Sequence, residues 1–153
     1  MRNINYILIN ETHPHSGGFK CRNRLQRSER YHYIVNSAGV VLNPIDIHLP
    51  GAMDLKPREP SQRLWFESLN DCSIGVLYNG SLSKDLQLST DNSHTKPKPS
   101  TFNAQLSTLI ALLVELRERF PTALILGVYE LDRWHTRVSN SMNQLRLILS
   151  NEP

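Results

Sequence analysis

Long apolar runs are missing from this chain. No stretch approaches the roughly 18 to 20 apolar residues that a membrane-crossing helix needs, so the sequence offers no such span. The first residues, Met-Arg-Asn-Ile-Asn-Tyr, enter a strand-like pattern at once. They lack the apolar stretch and small-residue cleavage site of a signal peptide. Cysteine is scarce: Cys21 and Cys72 match no metal-ligand spacing and give no disulfide framework. These absences lead to the expectation of a reduced, cytoplasmic protein, unless a separate export or lysis route releases it. A phosphate-cradling Gly loop, a nucleophile elbow and internal repeats are missing too. A strong net charge is also absent, the formal value being +3.

What is present fits one soluble domain spanning 1–153. The chain has 153 residues, 39% hydrophobic and 20% charged, enough to bury one sizeable core. The basic residues are uneven. Lys20, Arg22, Arg24, Arg27 and Arg30 crowd one segment against Glu29 alone. Such a cluster can attract an anionic polymer (nucleic acid, teichoic acid or an acidic glycan), or it can be an ordinary solvated face.

The apolar pattern gives an order of elements. Tyr6-Ile-Leu-Ile9 suits a strand buried on both faces, followed by a turn-rich loop over 10–18. Residues 31–35 and 40–42 flank a Gly-containing link and predict a hairpin. Residues 43–64, with four prolines, read as irregular, and Asn70-Asp71-Cys72 as a turn before a strand at 73–78. A long exposed loop is expected over 91–100. The clearest helix spans 101–119, with Phe102, Leu106, Leu109, Ile110, Leu113 and Leu116 on one stripe and Ser100 or Thr101 as cap. Pro121 stops it, a strand follows at 123–126, and a last helix spans 138–149. The expected fold class is α/β, a single domain with a central mixed β-sheet flanked by helices.

Four segments, in order, carry a resemblance. They are Tyr6-Ile-Leu-Ile-Asn-Glu-Thr12, Tyr31-His-Tyr-Ile-Val-Asn-Ser-Ala-Gly-Val40, Asn70-Asp-Cys-Ser-Ile-Gly-Val76, and the helix, Phe-Pro stop and strand from Thr101 to Glu130. Together they cover most of residues 4–132. They resemble the type-2 N-acetylmuramoyl-L-alanine amidases, a family that includes amidase-type phage lysozymes and peptidoglycan recognition proteins. The resemblance implies a zinc ion held by two His and a third ligand, lowering the pKa of its water to about 7 for attack on the muramoyl–L-alanine amide.

Carried over residue by residue, the resemblance sets Tyr31 at the family's catalytic Tyr. Asn10 stands at the first His ligand, Val128 at the second, and Trp65 near a cleft His. His135 lies where a third ligand would be sought. Valine has no lone pair, and an amide oxygen suits zinc poorly. No cofactor is therefore expected, unless His13, His15 and His135 rebuild a metal site. His32 is expected to be a satisfied core or surface histidine. Glu130 and Asp132, which flank position 128, could form an acid pair.

Three functions follow. One is a degenerate amidase fold that binds a peptidoglycan fragment without cutting it. Another is an active amidase with a rebuilt site. The third is an interaction protein of a phage-derived assembly. The expected partners are a peptidoglycan fragment or a protein, not a membrane and not nucleic acid.

Overall fold

The structure, a computed structural model, describes residues 2–12, 28–57, 59–88, 102–131 and 136–150. Five strands form one mixed sheet in the order β3-β2-β4-β1-β5. β1 (Tyr6–Glu11) lies between β4 (Ser73–Tyr78) and β5 (Leu124–Gly127), parallel to both. β2 (Tyr33–Val35) adds parallel to β4, and β3 (Val41–Leu42) closes the far edge antiparallel to β2. The α/β class and the mixed sheet expected from the sequence are therefore what forms.

Strand alternation assigns the two faces. Ile7, Ile9, Ile74, Val76 and Tyr78 point to one side, where they meet α2 (Leu82–Leu88), α3 (Ala104–Arg119) and α4 (Thr136–Ser150). Leu8, Ile34 and Leu77 point to the other, under α1 (Arg63–Cys72), which contributes Phe66 and Leu69. β1 and β4 are covered on both faces, which explains their near-continuous apolar runs.

The hairpin forms as its sequence predicts. Asn36 Oδ1 accepts the N–H groups of Ala38 and Val40, and Gly39 takes φ 81°, a conformation that disfavours any side chain. Its first strand is shorter than 31–35, because Tyr31 and His32 precede the ladder.

Two expectations need correction, and two further elements add to what the sequence predicts. Residues 63–72 form α1 rather than irregular chain and a turn. Only Phe66 and Leu69 are buried there, while Leu64 and Trp65 face outward, which blurs the helical period. Residues 82–88 form α2, anchored by Leu82 and Leu86, a pattern too short to stand out. The cap of α3 is Asn103, whose Oδ1 accepts Leu106 N–H at 2.8 Å; Ser100 and Thr101 lie outside the described residues. Replacing Asn103 with Ala is expected to cost about 1 kcal/mol, read as a lower urea midpoint at unchanged slope. Finally, β5 is a half-exposed edge with Leu124 at 59% exposure, and it runs to Gly127, one residue past the strand expected at 123–126.

The end of β5 has a local cause. Glu130 Oε1 accepts Gly127 N–H at 2.9 Å, drawing residues Val128–Leu131 into a 3-10 turn. Arg146 of α4 grips the same carboxylate with two bonds of 2.7 and 2.8 Å and donates to Ile125 O. Glu130 is thus a clamp between strand end and helix. Its suggested acid partner, Asp132, lies outside the described residues.

Candidate functional site

The site begins where the parallel ladder runs out. Ile9 pairs with Gly127 in the last β1–β5 register position, so Asn10, still in β1, is followed alongside by Val128, the first residue after β5. Asn10 points to the α1 side of the sheet, the face of Leu8. There its Nδ2 donates to the Tyr31 phenol oxygen at 2.8 Å, while its Oδ1 accepts Glu11 N–H at 3.0 Å. Tyr31 and Asn10 are both buried. Tyr31 packs with Leu8, Phe66 and Met53, and Val128 joins the same cluster. Tyr31, Asn10 and Val128, far apart in sequence, thus meet at the carboxyl end of β1.

Gly75 makes room for this arrangement. A Cβ there would lie 2.8 Å from Met53 Sδ and 3.2 Å from Tyr31 Cδ1. Met53 is itself held by Asn70, whose side-chain amide exchanges bonds of 2.9 Å with both the N–H and the C=O of Met53. The Gly and Asn of the Asn70–Val76 segment therefore serve the seat of Tyr31.

Trp65 is elsewhere. Its ring meets Tyr6 edge-on at 6.3 Å and Phe66 at 5.4 Å. Tyr6 precedes Asn10 by four residues, about 13 Å of strand. His13, His15 and His135 lie outside the described residues. Among the described residues, no group of three His, Cys, Asp or Glu side chains converges as metal ligands would.

The residues at the resemblance's ligand positions do not fit zinc. Both ends of the Asn10 amide are engaged by protein groups, and Val128 supplies only carbon. The arrangement sets an amide–phenol hydrogen bond beside an apolar wall.

His32 is a satisfied core residue, fully buried. Its Nδ1 accepts Gly75 N–H at 3.0 Å, so the proton sits on Nε2, which donates to Leu49 O at 2.7 Å. Burial, and then the charge of Arg2 against the pull of Leu49 O, hold its pKa below the ordinary value.

The sequence reading missed a polar group on the opposite face. Glu11 follows Ile7 and Ile9 at period two and is turned toward α2, only 5% exposed. Burial pushes its carboxyl up to about 7; the backbone N–H of Leu82 opposes that rise and Asp85 adds to it. The Tyr78 phenol donates to Asp85 Oδ2, and burial followed by that bond raises the phenol's pKa. The signal was available: alternation places Glu11 and Tyr78 on an otherwise apolar face.

No family model matches the chain, and no curated protein matches it. Among solved structures, the N-acetylmuramoyl-L-alanine amidase LysC from Clostridium intestinale URNW is similar over 84% of this chain and 73% of its own. The identity is 13% and the TM-score 0.42. The endolysin N-acetylmuramoyl-L-alanine amidase LysCS from the same organism is similar over 84% and 72%, at 15% identity and a TM-score of 0.40. Values this low carry no weight for function.

Proposed function

We propose that this protein recognises a peptidoglycan fragment through an amidase-like cleft and does not hydrolyse it by the zinc route. One observation carries the reading. The three positions that resemble the amidase site, Tyr31, Asn10 and Val128, converge at one strand end, where an amide–phenol hydrogen bond and a valine occupy the positions at which metal ligands would be expected. Buried polar groups beside an apolar wall suit a ligand with both an amide backbone and methyl groups, and a muramyl peptide has both.

Calorimetry with muramyl dipeptide tests the reading. Binding in the micromolar range is expected. Tyr31→Phe should weaken it by about tenfold, the worth of one hydrogen bond. The purified chain should carry far less than stoichiometric zinc and leave the muramoyl–L-alanine amide intact. Stoichiometric zinc that is lost in His13→Ala, His15→Ala or His135→Ala would overturn the proposal in favour of a rebuilt hydrolytic site. Failure to bind muramyl dipeptide would shift the assignment to a protein-interaction role.

A further inference from the structure

A concavity lies on the α1 side of the sheet, near this site. Leu55, Lys56, Pro57, Pro60 and the first two turns of α1 line a groove of about 430 Å³, within the size range of small-molecule pockets. Its apolar wall is made by Leu55, Pro57, Pro60 and Phe66. The ring-locked φ of the two prolines stiffens that wall. Leu55 and Phe66 also belong to the cluster that seats Tyr31, so the groove and the Asn10–Tyr31 site share a partition.

The charges of the groove are unequal. Arg63 gives its Nε to Glu67 Oε1 at 3.0 Å, which engages one oxygen of the lining's carboxylate and leaves the terminal amino groups of the guanidinium without a partner among the described residues. Lys56, on the same lining, pairs with no carboxylate among the described residues. A guanidinium fork and an ammonium beside an apolar wall match a carboxylate carried on a small apolar body. An inorganic anion would leave the apolar wall unused.

We propose that this groove binds the terminal carboxylate of a short apolar peptide. The inference deepens the muropeptide reading and rests on it for the choice of ligand, because the peptide of a peptidoglycan fragment ends in a carboxylate.

Amide chemical-shift titration of the full chain tests it, with N-acetyl-D-alanyl-D-alanine against the same dipeptide as its C-terminal amide. The acid is expected to bind with a millimolar Kd and to shift Leu55, Lys56 and Phe66. The amide should bind about tenfold more weakly, and Lys56→Gln or Arg63→Gln should each weaken the acid by about three- to tenfold. A native-like spectrum of each variant establishes that the fold is retained. No binding of the acid, equal binding of acid and amide, or indifference to both substitutions would overturn the groove.

The two proposals fail differently. Muramyl dipeptide bound with an affinity indifferent to Lys56→Gln and Arg63→Gln sinks the groove and leaves the muropeptide reading. Carboxylate-dependent dipeptide binding without muramyl dipeptide binding does the reverse.

Discussion

Glu11→Gln is expected to stabilise the protein by about 3 kcal/mol at pH 8 and by almost nothing at pH 4. Its carboxyl is raised from 4.5 to about 7, chiefly because burial penalises the charged form. A carboxyl whose folded pKa lies above its unfolded one binds its proton more tightly in the native state. Its contribution is fully present below about 4.5 and is lost as pH rises through about 7. The difference between the two values corresponds to about 3 kcal/mol. Gln keeps an oxygen for the Leu82 N–H and never ionises beside Asp85. Urea denaturation at pH 4, 6 and 8 reads the effect as the gap between variant and parent. A gap that does not change with pH would show that Glu11 ionises normally in the native state.

His32→Ala is expected to cost about 4 kcal/mol. The imidazole is fully buried and bridges Gly75 N–H to Leu49 C=O. Its removal strands the buried Gly75 N–H, at about 1–3 kcal/mol, frees the part-buried Leu49 C=O and leaves a cavity. The sign of its titration opposes that of Glu11. Its folded pKa is depressed, so its stability is present above about 6.5 and is lost as pH falls toward the folded value. Nitrogen chemical shifts should show the Nε2–H tautomer at pH 7 and less protonation at pH 6 than a free imidazole carries. A cost below about 1 kcal/mol in guanidinium unfolding would mean that water replaces the ring at no penalty.

The two effects share a geometric origin. At His32 the imidazole supplies the acceptor for Gly75 N–H just before the β2–β4 ladder begins at Tyr33 and Val76. At Glu11 a strand end delivers a carboxyl into a face otherwise built of Ile7 and Ile9. Both groups sit where regular backbone pairing stops and a side chain must complete the hydrogen bonding.

Legibility in the sequence followed burial pattern. β1, β4 and the body of α3 were plain because long runs with one period survive any tertiary arrangement. α1 and α2 were not, since each buries only two or so apolar residues and owes its stability to packing on the sheet. The end of β5, expected at 126, falls at Gly127. Val128, Tyr129 and Leu131 suit a strand locally, but Glu130 and Arg146 bend them out of the sheet.

The candidate site was partly legible. Tyr31, Asn10 and Val128 emerged from ordered motif resemblance, while their meeting depended on the Ile9–Gly127 register and the Asn10–Tyr31 bond. Trp65 sits with Tyr6 instead, because α1 turns it toward the start of β1.

By itself the sequence determined the α/β class, the hairpin and the residue types at the strand ends, since period and turn chemistry are local properties. It also determined that position 128 offers no metal lone pair. Only the tertiary structure decided that Asn10's amide is engaged at both ends, that Glu11 is buried beside Asp85, and that Lys56 and Arg63 flank one groove. Those depend on which strands become neighbours and on how much water their packing removes, and no local stretch of chain encodes either.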